Sequence, residues 1–148
     1  MKTCAKCETI QEHEPMFLFD TDVITNVLKK RPSRPLLQRL ALVPRKQQHI
    51  STVTVTEIVY GAMKSTRPAY HLENLEKILL PSVDVVGFDA KAAYVCGRIR
   101  AELGRKGRPL DLADLQIAAT AIAENFTLIT GNIRHFSRIE ELRAENWL

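Results

Sequence analysis

Apolar and polar positions along this chain follow two alternating rhythms. Short runs of consecutive apolar, aromatic or β-branched residues occur at 16–20 (MFLFD), 49–53, 83–86 (VDVV) and 126–130 (FTLIT). Runs of that length and make-up predict buried strands. Between them the apolar side chains recur every three or four residues instead. Val23, Ile24, Val27 and Leu28 predict a helix over 21–30. Pro32 and Pro35 break it, and a second short helix over 36–43 is closed by Pro44. Ile58, Val59, Ala62 and Met63 form the stripe of a third helix, and 70–80 is a fourth, ended by Pro81. The longest helical pattern, 89–103, stops at Gly104 and Gly107. An Ala-rich helix over 111–124 predicts close packing against a sheet, and Gly131-Asn132 turns the chain after the fourth strand. A last helix is expected at 136–142, and the terminal ENWL suits an edge strand.

Strands alternating with helices predict an α/β fold with a mostly parallel sheet and right-handed crossovers. Residues 1–15 are polar and aperiodic and read as a flexible N-terminal extension, which leaves a single domain over 16–148. A chain of 148 residues suffices for one hydrophobic core and is short for two.

Composition changes this picture little. With 45% hydrophobic and 26% charged residues the chain is ordinary globular protein rather than disordered. No apolar run approaches the roughly eighteen residues of a membrane span, and the N-terminus lacks the apolar core of a secretory signal. Three cysteines and no export route argue against a disulfide framework, so the expected compartment is the cytoplasm. The net charge of +4 permits a polyanionic partner without requiring one. Its distribution is uneven: Lys29, Lys30, Arg31 and Arg34 form one basic cluster, and Arg98, Arg100, Arg105, Lys106 and Arg108 another. Charge alone reads these as solvated helix faces.

The acidic residues carry more information, because ligands of open parallel sheets bind beyond the carboxyl ends of the strands. Asp20 ends the first strand, Glu57 opens the helix after the second, Asp114 lies in the first turn of the helix before the fourth, and Asn132 follows that strand. An acid directly after Phe17-Leu18-Phe19 is expected to be paired or metal-bound. Glu57 has two readings, a site residue or the partner of Thr54 in a capping box. Asp111 and Asp114 both suit a helix start, Asp111 being the better cap. Asp22 either joins the cluster or caps the first helix. Carboxylates gathered in a fold repel one another, and a divalent cation reverses that penalty. Hard oxygen donors suit Mg²⁺ or Mn²⁺, which lower the pKa of bound water and stabilise a leaving oxygen.

These segments resemble the motifs of PIN-domain nucleases. FLFDTDVITNVL resembles their opening strand-end motif, STVTVTEIVYGA their second, and GRPLDLADLQIAATAIAENFTLITGNIRHFSRI their third and fourth, in order over residues 16–148. Size and wording are similar to the VapC group of toxins from type II toxin–antitoxin systems. The resemblance implies a PIN-like α/β/α sandwich with a central sheet of four to five strands. It implies a Mg²⁺-dependent endoribonuclease (Mn²⁺ also fitting), a tRNA or rRNA substrate, a homodimer, and inhibition by a cognate VapB-like antitoxin that inserts a peptide into the acidic groove. It makes Asp20, Glu57 and Asp114 metal ligands and Asn132 a fourth catalytic member, with Thr130 supporting the turn and Arg134 near the scissile phosphate. A housekeeping PIN nuclease and a degenerate RNA-binding PIN module are the alternatives.

Two positions depart from the family pattern. Asp22 stands where Asn is usual, and the fourth acid is Asn132. Met16 stands where such domains begin. Cys4, Cys7 and His13 in the preceding extension offer only three zinc ligands where a structural site needs four, and Cys96, expected in a buried helix, is a poor fourth. His135 beside Phe136 reads as structural or RNA-contacting rather than as a general base.

Overall fold

The computed structural model describes residues 14–148; Cys4, Cys7 and His13 lie outside the described residues. Five strands form one sheet: β1 (Phe17–Phe19), β2 (Gln48–Ser51), β3 (Asp84–Val86), β4 (Thr127–Ile129) and β5 (Ala144–Glu145). Their spatial order is β3-β2-β1-β4-β5 and every pairing is parallel. The chain builds outward from β1 to β3, then returns to the other side of β1 to add β4 and β5. The point where the order reverses lies between β1 and β4, where the loops leaving adjacent parallel strands diverge and open a crevice.

Helices α1 (Thr21–Val27), α2 (Arg34–Leu42), α3 (Thr52–Lys64), α4 (Pro68–Asn74), α5 (Ala90–Arg105), α6 (Leu112–Glu124) and α7 (Ile133–Phe136) complete the domain. The central strands β1 and β4 are apolar without alternation because both their faces are covered. Leu18 and Leu128 pack with residues of α5 and α6 in one cluster, whereas Phe19, Ile50 and Ile129 pack with Val23, Ile24, Leu36 and Ile58 in the other. Neighbouring residues of β1 and β4 thus serve opposite cores, as the two-residue period of a strand demands. On α6, Ala118, Ala119 and Ala121 are wholly buried, which fits the close approach their small side chains predict. Asn125, in the left-handed conformation at φ 60°, ends α6, and the Phe126 N–H donates to the Ala121 carbonyl at 2.8 Å as the chain turns into β4.

Several boundaries differ from expectation, for local reasons. Strand β2 ends at Ser51, whose hydroxyl accepts from the Val53 N–H at 3.0 Å and caps α3. The helix therefore starts at Thr52, Thr54 is buried in its first turn, and Glu57 falls in the second, so no Thr54–Glu57 capping box forms. Pro35 does not break a helix but sits in the first turn of α2, where a missing N–H costs nothing, behind the Ser33 cap. Helix α4 continues through a π turn (Leu75–Leu79) and a 3-10 turn (Leu80–Ser82), which carries it past Pro81. The last helix is displaced: α7 ends at Phe136, and residues 137–142 form turns with Ile139 N–H to Phe136 O and Leu142 N–H to Ile139 O bonds. Phe136 and Ile139 are nevertheless both buried in one core cluster, so the apolar spacing is real and only the hydrogen bonding differs. The terminal edge strand is β5, and Trp147 beyond it is anchored edge-on against Phe17 and Phe19 at 4.9 and 5.9 Å.

Candidate active site

At the reversal of strand order, β1 and β4 end side by side. The Asp20 N–H donates to Ile129 O at 2.8 Å, which extends the ladder one residue beyond the strands. Asp20 follows immediately as the cap of α1, its Oδ1 accepting from the Thr21 N–H at 2.8 Å. Its Oδ2 accepts from the Thr130 hydroxyl at 2.9 Å, across 110 residues of sequence. The same Thr130 oxygen accepts from the Asn132 N–H at 3.0 Å, so one side chain orients both the buried acid and the turn. Thr130 is wholly buried, which gives this geometry little freedom.

Asp20 is only 6% exposed. Burial, and then the negative charge of Asp22, push its carboxyl up to about 7, against the opposing pull of Thr130 and the Thr21 N–H. Asp114 adds a smaller repulsion. The Asp22 carboxyl is also raised, first by removal from water and further by Asp114. Although the residue is exposed overall, its Oδ2 is turned inward to accept from the Gly131 N–H at 3.0 Å. Three carboxylates therefore share one field. Full burial of an apolar side chain contributes roughly 1.5–3 kcal/mol. Leu18, Phe19, Val23 and Ile24, all fully or almost fully buried beside this turn, oppose the repulsion.

The other two acids stand on helices. Glu57 Oε1 accepts from the Thr21 hydroxyl at 2.7 Å, and that hydroxyl lies 3.2 Å from Thr54 Oγ1. Glu57 is thus tied to the Asp20 turn through the residue next to Asp20. Asp114, in the first turn of α6, has its Oδ2 3.0 Å from His135 Nε2. A carboxylate can only accept, so with Asp114 ionised the Nε2 carries the proton. Asp111 occupies the cap position of α6, yet its exposed side chain makes no capping bond. Asn132 and Arg134 are exposed at the mouth, and Asn132 makes no side-chain cap bond to α7. Cys96 is buried and free, away from this cluster.

Among the described residues no three Asp, Glu, His or Cys side chains converge into a ready-made cation cage. The donor set nevertheless suits a hard cation. Carboxylates that repel one another, with one holding a proton near neutrality, gain most from a positive ion placed among them. Sequence reasoning missed three residues here. Thr21 was hidden between two aspartates, and its dual contact needs α3 alongside α1. The sequence marks Gly131 only as a turn, yet a Cβ there would lie 2.8 Å from Asp22 Oδ2 and 2.5 Å from Leu148 Cδ1. Nothing in the sequence near His135 points to its carboxylate partner Asp114.

The model of the PIN domain family matches residues 17–142. The chain is 38% identical over 131 residues to the tRNA(fMet)-specific endonuclease VapC of Shigella flexneri, with 88% of this chain and 97% of that protein covered. It is 34% identical over 132 residues to the ribonuclease VapC2 of Rickettsia felis, covering 89% and 98%. Among solved structures, the DNA-bound VapBC of Salmonella typhimurium matches with a TM-score of 0.84 at 34% identity, over 91% of this chain and 100% of that one.

Proposed function

Because the chain belongs to the PIN-domain family, as a VapC-like ribonuclease, we propose that it is the toxin of a type II toxin–antitoxin pair and hydrolyses RNA at the Asp20, Glu57 and Asp114 carboxylates. The observation that carries this reading is the buried, proton-retaining Asp20 at the strand reversal, in one field with Asp22 and Asp114. Asp20, Glu57 and Asp114 would hold a divalent cation, Mg²⁺ or Mn²⁺, with Asp22 contributing charge. When bound, such a cation acidifies water and neutralises charge on the phosphodiester.

The protein's own groups position that chemistry. Thr130 and the Thr21 N–H fix the two Asp20 oxygens, the Thr21 hydroxyl turns Glu57 inward, and His135 restrains Asp114. Asn132 and Arg134, exposed on the turn after β4, offer an amide and a guanidinium to phosphate oxygens. The endonuclease relatives named for tRNA(fMet) make initiator tRNA the first substrate to test. The VapBC structures support a VapB-like antitoxin as the partner, and the carboxylates here would draw a basic side chain from it. Homodimer formation is part of the proposal and is supported by large apolar side chains left in solvent, among them Tyr60, Met63 and Tyr94. No helix of the described residues is long and apolar enough to cross a membrane, and we place the protein in the cytoplasm with its RNA.

Purified protein incubated with tRNA and ribosomal RNA in Mg²⁺ or Mn²⁺ should cut at defined positions, and Asp20→Asn should not. Equal cleavage by the two proteins, or cleavage that persists in excess EDTA, would overturn the mechanism.

A further inference from the structure

Beside the acidic cluster a groove of about 670 Å³ runs between α1, α3 and α4. That volume lies within the roughly 300–1,000 Å³ typical of sites that enclose a small ligand. Thr21 and Glu57 line one end, so the groove is continuous with the carboxylates. Away from that end its lining turns cationic and aromatic, with Lys29 and Lys30 from the α1 side and Arg67 and Tyr70 from the α4 side. The Arg67 guanidinium lies 4.1 Å from the Tyr70 ring centroid, and His71 meets that ring edge-on at 5.3 Å. Tyr70 is 47% exposed, an open aromatic surface already stiffened by a cation.

The second basic cluster makes the contrast. On α5, Arg98 is bonded to Glu141 and lies 3.5 Å from Glu102, and Lys106 lies 3.7 Å from Glu140. Among the described residues no acidic side chain forms an ion pair with Lys29, Lys30 or Arg67. One basic face is partly neutralised within the protein, and the groove's is left for a partner. Exposed cations beside an exposed aromatic ring match a single nucleic-acid strand, whose phosphates take the charge and whose bases take the ring face.

We propose that this groove is a nucleotide subsite for the RNA strand, in which Tyr70 stacks a base flanking the cut bond and Lys29 and Lys30 hold the adjoining phosphates. The assignment rests on the ribonuclease reading above and adds where the strand runs and what grips it. A base on Tyr70 extends the Arg67–Tyr70 stack. Because every base has a π-face, the grip is tolerant of sequence and depends on the strand being unpaired there.

The test is fluorescence anisotropy with a labelled single-stranded RNA octamer in EDTA, which keeps the strand intact, beside a ribose-phosphate octamer lacking bases. Tyr70→Ala should weaken the RNA octamer about tenfold, the usual scale for one stacked base. Tyr70→Phe should retain affinity, and the base-free chain should bind wild type and Tyr70→Ala alike. Lys29→Ala with Lys30→Ala should weaken both chains and flatten the dependence on salt. Thermal melts report whether each variant is folded, and Tyr70→Leu repeats the measurement should the alanine variant fail to fold. Wild-type affinity in Tyr70→Ala, or equal losses for the two chains, would overturn the subsite. Unchanged RNA affinity with loss of a co-expressed protein partner would give the groove to that protein instead and also overturn it. Tyr70-dependent RNA binding by a wild-type protein that cuts nothing would retire the ribonuclease reading and leave the subsite standing.

Discussion

Asp20 and Asp22 gather at the sheet end, Asp20 capping α1 and Asp22 in its first turn, whereas Glu57 and Asp114 stand on α3 and α6. The first pair is held by the carboxyl end of β1 and the turn after β4, which leaves the acids close together and Asp20 almost without water. The second pair is held by one side chain each, the Thr21 hydroxyl and the His135 ring. Backbone N–H groups and the buried Thr130 hydroxyl set the sheet-end acids in place and charge strains them; a single side chain aims each acid on α3 and α6. A site divided this way has a fixed, electrostatically costly centre and adjustable flanks.

The largest effect that would break this contrast belongs to Asp20→Asn. Cleavage should fall on the order of a thousandfold, equivalent to several kcal/mol of lost charge stabilisation. The same change should also alter how stability depends on pH. The folded protein retains a proton on Asp20 up to about pH 7, whereas the unfolded chain releases it near the ordinary carboxylate value of 3.8. Across that window the unfolded state binds fewer protons, so stability declines as pH rises from about 4 to about 7. Urea denaturation of metal-free protein over that range should show the decline in wild type and a flatter profile in Asp20→Asn. Added Mn²⁺ should restore stability at neutral pH in wild type alone.

Next in size, Glu57→Gln keeps an acceptor for Thr21 and removes the charge. Cleavage should drop roughly a hundredfold with the melting temperature close to wild type; a large loss of stability would merge the two halves into one. Gly131→Ala tests the sheet-end half sterically, because its Cβ must displace Asp22 or Leu148. A loss of about 1–3 kcal/mol in urea denaturation is expected. Gly97→Ala, on α5 with open space around it, should be neutral or stabilising by up to about 1 kcal/mol. Smallest are Thr21→Val and His135→Ala, each expected to lower cleavage roughly tenfold with the fold intact, read as initial rates against melting temperature. A null result at both would mean the helix acids need no aiming.

Much of the fold was legible because it is written in near neighbours. The runs around Leu18 and Leu128 and the stripe at Val23, Ile24 and Val27 marked strands and helices to within a few residues. The misplacements arose where one residue tipped a local balance. Ser51 outcompeted Thr54 as a cap because β2 ended two residues early. Phe136 closes α7 and Ile139 reaches the same core from the hydrogen-bonded turn after it, so their spacing resembles a helix over 136–142 that does not form. In the site, Asp20 stood out as an acid following an apolar strand, and the four-motif resemblance brought in Glu57, Asp114 and Asn132. Thr21, Gly131 and the His135–Asp114 contact had no local signature, because each acts on a residue from another element.

The sequence by itself determined which segments are strands, that their both-sided apolarity requires helices on two faces, and that an acid ends the first of them. Those follow from covalent neighbours, whose spacing decides which side chains share a face. Only the tertiary structure decided that β4 returns beside β1 rather than beside β3, placing Thr130 against Asp20. Strand order is set by how two cores close around the sheet, and it alone determines which charges must share a crevice. The same packing separated the two basic clusters, pairing Arg98 with Glu141 and leaving Lys29 and Lys30 along an open groove.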